Sequence, residues 1–280
     1  MASTTKTPLD IRADFPILAR EFDGHPLVYL DSSNTSQKPS VVIDAIDDYY
    51  RNHNANVHRA VYTLAQEATD MFEGARARIA AFCGADPGGT DPRATILTRN
   101  ATEAINLVAY AWGRDNVGPG DAVLITQMEH HSNIVPWQLL CAEQGAELRY
   151  LEVADDGTLS LEQLDSELAR GDVRLLAFAH VSNVLGTINP VAEFVARARA
   201  AGATTLVDGS QAVPQMPVNL AALGPDFYAW TGHKALGPTG VGVLHGRVEL
   251  LEAMRPFLGG GDMISSVDFQ HSTWNELPWK

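Results

Sequence analysis

From about residue 94 onward, short β-rich runs alternate with longer stretches whose apolar residues recur every three or four positions. Alternation of this kind builds βαβ units, which assemble into a mostly parallel sheet with helices on both faces. The sequence therefore predicts an α/β fold. The candidate strands are residues 94–98, 122–126, 147–153, 173–179, 204–208, 227–231 and 241–245.

The first ninety residues follow a different pattern. They predict a helix over 11–18, a short apolar strand over 27–30, and helices around 41–51 and 65–82, with a polar stretch at 51–59. The Gly- and Pro-rich residues 83–92 are expected to form a surface loop. Regular structure is expected to end after the glycines at 259–261.

Composition excludes several classes of protein. The 280 residues allow one large domain or two small ones, and 34 acidic against 20 basic residues give a net charge of −14. This charge disfavours binding to nucleic acid or to an anionic membrane surface. No apolar run approaches the roughly 18 residues of a membrane span, and the first eight residues lack a signal-peptide core, so we expect a cytoplasmic protein. Two cysteines rule out a disulfide framework.

Polar clusters follow five of the predicted strands, at residues 100–103, 129–131, 180–183, 208–211 and 231–234. Ligands of open α/β sheets bind at the carboxyl ends of the strands, so these clusters are expected to meet at one edge. Any one cluster is explained by an ordinary solvated loop. Together, their His, Asp, Asn, Thr and Lys side chains predict a binding site.

Two of these residues have alternative interpretations. Asp208 ends an apolar strand, where a carboxylate either binds a positive partner or caps a short helix at Gln211. Lys234 lies in a Gly- and Pro-rich loop, where it is either exposed or held with a lowered pKa that suits a Schiff base.

Other motifs narrow the chemistry. Thr102 opens a helix whose first N–H groups can bind an anion; the residue is also a candidate helix cap, and the two interpretations are compatible. His130 and His131 lack the spacing of a zinc motif, so no metal site is predicted. Cys83 and Cys141 follow apolar residues and are expected to be inert core thiols. An anion-binding helix start, a carboxylate and a lysine are what pyridoxal phosphate requires of its binding site.

Several longer segments resemble the SufS-type (group II) cysteine desulfurases of the class V aminotransferase family. The resemblance runs from residues 12–16 to 278–279, and its motifs lie at 127–137, 180–187, 207–212, 231–234, 237–240 and 259–264. It implies the large domain of pyridoxal-phosphate fold type I, with a mostly parallel seven-stranded sheet sandwiched by helices.

The resemblance also implies roles for individual residues. Lys234 would hold the cofactor covalently and shuttle protons, Asp208 would pair with the ring nitrogen, and His130 would stack on the ring and act as an acid or base. Gln211 would contact the ring hydroxyl, and Asn183 would lie beside that hydroxyl and the substrate carboxylate.

The phosphate end and the access route have their own implied residues. Thr102, Thr231 and His233 would bind the phosphate, although relatives often carry Ser at the position of Thr231. His58 and Arg59 match a segment near a substrate entrance lined by both subunits of a homodimer.

The implied reaction converts L-cysteine to L-alanine. A protein cysteine takes the sulfur as a persulfide and passes it to a sulfur acceptor or scaffold for iron–sulfur cluster assembly. Selenocysteine lyase or another class V enzyme is an alternative, as is a non-catalytic remnant that binds the cofactor.

The sequence departs from the family pattern in two respects. Residues 1–22 are interpreted as an N-terminal arm and 23–280 as the cofactor-binding large domain, with the C-terminal small domain absent. That small domain carries the nucleophilic cysteine and the arginine that binds the substrate carboxylate, and neither Cys83 nor Cys141 matches the nucleophile. A truncated chain with uncertain activity of its own is therefore expected. In addition, residues 31–35 are bulkier and more polar than the family motif beside the substrate.

Overall fold

The computed structural model describes residues 11–58, 60–84 and 92–280. Its strands, in chain order, are β1 (Glu21–Phe22), β2 (His25–Pro26), β3 (Thr95–Thr98), β4 (Ala122–Thr126), β5 (Glu147–Leu151), β6 (Val173–Ala179), β7 (Thr204–Asp208), β8 (Phe227–Thr231), β9 (Gly242–Gly246), β10 (Ile264–Val267) and β11 (Ser272–Trp274). Strands β3 to β9 form one seven-stranded sheet in the order β3-β9-β8-β7-β6-β4-β5. Only β9 runs in the direction opposite to the other six strands of that sheet, so the predicted mostly parallel seven-stranded sheet is confirmed.

Helices connect these strands and cover the sheet. They are α1 (Ser40–Asp48), α2 (Thr63–Phe82), α3 (Ala101–Val108), α4 (Arg114–Asn116), α5 (Val135–Gln144), α6 (Leu161–Leu168), α7 (Val191–Ala200), α8 (Leu220–Leu223) and α9 (Val248–Ala253). Five-residue π-helical stretches, Tyr49–His53 and Ala109–Gly113, continue α1 and α3. Short 3₁₀ turns occur at Pro16–Ala19, Pro92–Ala94, His131–Asn133 and Gly232–Lys234.

The sheet separates two apolar cores. On one face Phe178 of β6 packs with Phe194 of α7, while on the other Ala177 belongs to a cluster with Ile105 of α3 and Trp137 of α5. Alternate residues of one strand thus point to opposite cores. Strands buried on both faces read as nearly continuous apolar runs, which is why the sequence revealed them. Within the ranges that the structure describes, no helix has the length and apolar character to cross a membrane.

Two predicted elements near the N-terminus are wrong. Residues 11–18 do not form one helix, because Phe15 precedes Pro16 and adopts extended geometry, and a 3₁₀ turn begins at that proline. Residues 27–30 do not form a strand. The short β1–β2 hairpin pairs as far as Pro26, which has no N–H to donate to a longer ladder.

The expectation that regular structure ends after the glycines at 259–261 is wrong, because the C-terminal segment contains a hairpin. Strands β10 and β11 pair after the three glycines, joined by a turn in which Asp268 Oδ1 accepts the N–H groups of Gln270 and His271, each at 2.7 Å. The predicted loop at 83–92 falls largely on residues 85–91, which lie outside the described residues.

Candidate active site

A cavity of about 160 Å³ lies at the carboxyl ends of the parallel strands. All eight of the residues predicted to bind the cofactor line it: Thr102, His130, Asn183, Asp208, Gln211, Thr231, His233 and Lys234. The sheet order reverses between β4 and β6, and a switch point of this kind is where open α/β sheets bind ligands. The expectation that the five polar clusters meet at one edge is therefore met.

Asp208 is the last residue of β7 and is buried, with 6% of its surface exposed. Its Oδ1 accepts the N–H of Ser210 at 2.9 Å, and its backbone oxygen accepts the N–H of His180 at 2.8 Å. Turns rather than a regular helix follow at Gln211, so the interpretation of Asp208 as a helix cap is wrong. A carboxylate at the rim of an apolar sheet is suited to receive a cationic ligand group.

Lys234 lies on the 3₁₀ turn Gly232–Lys234 that follows β8, and it is only partly exposed. The alternative of a fully solvated loop lysine is therefore wrong. Burial lowers the pKa of Lys234, and the negative charge of Asp208 opposes that shift. A lowered pKa leaves more of the amine unprotonated, which is the form that bonds to a carbonyl.

The phosphate end of the predicted site contains an unsatisfied hydroxyl. Thr231 Oγ1 is buried and has no hydrogen-bond partner within the described part of the chain. Helix α3 is capped by Asn100, whose side chain accepts the N–H of Glu103 at 2.8 Å, so Thr102 is not the cap that one interpretation made it. Thr102 instead lines the cavity.

His130 is held in a defined orientation. Its Nδ1 accepts the N–H of Ser132 at 3.2 Å and contacts the Ser132 hydroxyl at 2.7 Å. Because Nδ1 accepts a hydrogen bond, the neutral ring carries its proton on Nε2. Burial lowers the pKa of His130, and Lys234 lowers it further. The lowered pKa favours the neutral imidazole, which can stack on a flat ligand.

Glu129 is a buried acid to which sequence reasoning gave no role. Its carboxylate accepts hydrogen bonds from Thr126 Oγ1 at 2.5 Å, Asn133 Nδ2 at 2.6 Å and the Ala179 N–H at 3.0 Å. It therefore ties the end of β4 to the end of β6. Burial raises the pKa of Glu129 to about 7, and the charge of Asp208 adds to that shift. Its membership of the cluster at 129–131 was the only sequence signal.

The pH dependence of stability should report on Glu129. Its folded pKa of about 7 exceeds its ordinary value of 4.5, so the folded chain binds this proton more tightly than the unfolded chain does. The resulting stabilisation is complete below the unfolded pKa and is lost as the pH rises through about 7, by about 3 kcal/mol in all. Urea unfolding at about pH 5 and about pH 8 should show this loss as the difference in pH dependence between the wild type and Glu129→Gln, because the histidines with lowered pKa values contribute equally to both proteins. An equal pH dependence in both proteins would contradict the assignment.

Three further predicted residues can be located, and one cannot. Cys83 and Cys141 lie in the two apolar cores, and burial raises their pKa values to about 12 and about 11, as expected of inert thiols. His58 lies in a different cavity, where its Nε2 contacts Glu73 at 2.8 Å and its ring meets Trp279. Arg59 lies outside the described residues.

Comparison with known proteins identifies the family. Residues 28–280 match the family described as aminotransferase class-V. A probable cysteine desulfurase of Halobacterium salinarum is 48% identical over 284 residues, which cover 100% of this chain and 67% of that protein. A cysteine desulfurase of Klebsiella pneumoniae is 52% identical over 271 residues, which cover 96% of this chain and 66% of the relative.

Solved structures give the same result. The cysteine desulfurase of Thermococcus onnurineus in its apo form has a TM-score of 0.90 at 37% identity, with 99% of this chain and 66% of that chain covered. Cysteine desulfurase CsdA from Escherichia coli has a TM-score of 0.86 at 38% identity, with 98% of this chain and 66% of that chain covered. A variant of C-DES with glycine linked to its PLP cofactor has a TM-score of 0.79 at 25% identity, with 95% of this chain and 67% of that chain covered.

This chain belongs to the class V aminotransferase family and, within it, to the cysteine desulfurases. It spans about two thirds of the length of these relatives.

Proposed function

We propose that residues 23–280 form the cofactor-binding large domain of a pyridoxal-phosphate-dependent cysteine desulfurase, preceded by an N-terminal arm at 1–22. The observation that carries the proposal is the single cavity lined by all eight residues expected to bind the cofactor. Its substrate would be L-cysteine and its products L-alanine and a protein-bound sulfur.

The residues present suit pyridoxal phosphate. The buried Thr231 hydroxyl lacks a partner in the described chain, and a phosphate oxygen would supply one. Leaving such a group unsatisfied costs about 1–3 kcal/mol. The cavity also contains the first turn of α3, whose N–H groups favour an anion. At the other end, Asp208 offers a buried carboxylate to the cationic ring nitrogen. The C-DES relative supports the same cofactor.

When bound, pyridoxal phosphate supplies an electron sink that weakens bonds at the substrate Cα. Lys234 would hold the cofactor and would then move a proton at that carbon, a role that its lowered pKa favours. Asp208 would keep the ring nitrogen protonated, and His130 would stack on the ring. Gln211 would bind the ring hydroxyl, and Asn183 would contact that group and the substrate carboxylate.

The phosphate is assigned to three residues, Thr102, Thr231 and His233. All three line the same cavity. The His233 Nδ1 lies 3.0 Å from Thr35 Oγ1, which fixes the ring plane. These side chains would anchor the cofactor by its phosphate.

The sulfur-accepting thiolate is neither Cys83 nor Cys141. Attack on the substrate sulfur requires an exposed thiol with a low pKa, whereas both thiols are buried with raised pKa values. The 280-residue chain incubated with L-cysteine and pyridoxal phosphate should therefore form little persulfide. The amount of persulfide is measured as the sulfide released after reduction. Sulfide production at the rate of an intact desulfurase would contradict this, and selenide release from selenocysteine without sulfide would favour a selenocysteine lyase.

Thiol labelling gives an independent measurement of the same assignment. Iodoacetamide should modify Cys83 and Cys141 slowly in the native protein, because the reactive form is the thiolate and both pKa values lie far above neutral pH. Modification should become complete in denaturant. Rapid native labelling of either cysteine would reopen its assignment as an inert thiol.

We also propose a homodimer in the cytoplasm that delivers sulfur to an acceptor or to an iron–sulfur scaffold protein. The two unpaired thiols suit a reducing compartment. The apolar groove lined by Val41, Ile46, Tyr50 and Met71 suits a protein contact. Sedimentation of the intact protein tests the dimer.

A further inference from the structure

Residues 33–38, the N-terminal strap, cross the rim of the candidate active site. The strap contacts two separate parts of it. Gln211 Nε2 donates to the Ser33 carbonyl at 2.7 Å, and the Leu236 N–H donates to Ser36 Oγ at 2.9 Å. The strap therefore links the turn after β7 to the loop after β8.

Four donors from the strap converge on one oxygen, the carbonyl of His233. They are the Ser36 N–H at 3.1 Å, Ser36 Oγ at 3.0 Å, Thr35 Oγ1 at 3.2 Å and Lys38 Nζ at 2.7 Å. A carbonyl oxygen has two lone pairs and is usually satisfied by one or two donors. The Lys38 contact is the shortest of the four and the only one that carries a full charge.

The Lys38 ammonium uses its three donors locally. It contacts the Ser36 carbonyl at 2.6 Å, Ser36 Oγ at 3.3 Å and the His233 carbonyl at 2.7 Å. Ordinary surface lysines keep their charge in water, whereas Lys38 is partly buried, and this burial lowers its pKa. Its charge also lowers the pKa of His233, which places it electrostatically close to the site.

The carbonyl held in this way belongs to the peptide group that leads into Lys234. Because a peptide group is planar, fixing its oxygen restrains the position of the next Cα, from which the Lys234 side chain leaves the turn. We propose that Lys38 is a positioning residue, whose ammonium fixes the His233 carbonyl and thereby aims the Lys234 amine into the cavity. This inference rests on the proposed role of Lys234 in holding pyridoxal phosphate.

Three variants of the whole chain test the proposal. Lys38→Met removes the charge and keeps the length, whereas Lys38→Arg keeps a cation that can reach both carbonyls. Lys280→Met is a matched control, because Lys280 Nζ also donates to a backbone carbonyl, that of Glu252 at 2.6 Å. Lys280 is also partly buried and has a lowered pKa, like Lys38.

Two measurements are made on each variant: the affinity of the apoprotein for pyridoxal phosphate, and the pH midpoint of the absorbance of the lysine-bound cofactor. Lys38→Met should bind about tenfold more weakly, since a charge-assisted hydrogen bond no longer orders the turn. Its midpoint should move to higher pH, because a Lys234 side chain that is held less firmly loses part of the burial that lowers its pKa. Lys38→Arg should recover most of both properties, and Lys280→Met should match the wild type.

The outcomes separate the two proposals. Wild-type protein that fails to take the cofactor on Lys234 refutes the proposed function before any variant is compared. Wild-type protein that takes it normally, together with Lys38→Met of unchanged affinity and midpoint, refutes the role of Lys38 alone. If thermal unfolding shows that Lys38→Met does not fold, Lys38→Gln retains a neutral donor, and an unchanged midpoint in that variant likewise overturns the role of Lys38.

Discussion

Replacement of Lys234 by Ala is expected to abolish covalent attachment of pyridoxal phosphate and, with it, any change at the substrate Cα. The amine that would bond to the cofactor carbonyl is partly buried at the cavity and has a lowered pKa. General acid–base groups contribute about 10²–10⁴-fold to rate, and here the same amine would also hold the cofactor.

Absorbance spectra and exchange of the L-alanine Cα hydrogen with deuterated solvent measure the two effects separately. Exchange is a suitable assay because it needs no sulfur-accepting cysteine. Lys280→Ala serves as the control, since it removes a lysine that contacts the Glu252 carbonyl instead of the cavity. A yellow Lys234→Ala protein with wild-type exchange would refute the assignment.

Asp208→Asn should weaken the binding of pyridoxal phosphate by about 2–5 kcal/mol, the usual cost of removing one partner of a buried hydrogen-bonded charge pair. The substitution keeps the shape and an oxygen that can still accept the Ser210 N–H bond, so the turn should persist. Loss of the negative charge, however, removes the interaction that would keep the ring nitrogen protonated. Exchange at Cα should therefore fall together with affinity.

Asp226→Asn is the matched control for Asp208. Asp226 is also buried, but it accepts hydrogen bonds from Thr205 and pairs with Arg247, and it lines no part of the cavity described above. Its substitution should lower the free energy of unfolding and leave the cofactor affinity unchanged. Equal losses of affinity in the two variants would show that Asp208 acts through stability alone.

The central strands could be predicted because burial on both faces gives them nearly continuous apolar sequences. β4, β6, β7 and β8 occupy the predicted residues without shift, since each apolar run ends sharply at polar or turn residues. The ends of β5 and β9 differ by one or two residues, where apolar character fades gradually. The order of the strands depends on pairing between distant segments, which no local pattern contains.

The wrong elements share a physical cause. The strand expected at 27–30 is apolar enough, but a strand needs a partner along its whole length, and the structure leaves Leu30 90% exposed. The β10–β11 hairpin depends on a turn organised by the side chain of Asp268. Neither the missing strand partner nor the turn made by Asp268 can be predicted from apolar periodicity.

The residues of the candidate site were also only partly predictable from the sequence. Residues at strand ends could be assigned to one edge because parallel strands bring their carboxyl ends together. Glu129 and the N-terminal strap could not be given roles, since their importance comes from tertiary contacts with β6 and with the Lys234 loop. A glutamate or a lysine is solvated by default, and only the folded chain shows otherwise.

The measurement that bears most directly on the proposed function is the identity of the lysine that carries the cofactor. The chain contains four lysines, Lys6, Lys38, Lys234 and Lys280. Apoprotein is loaded with pyridoxal phosphate, reduced with borohydride, digested and mapped by mass spectrometry. The account predicts a stable cofactor adduct on Lys234 and unmodified peptides for the other three. Labelling of a different lysine, or no adduct at any lysine, would contradict it.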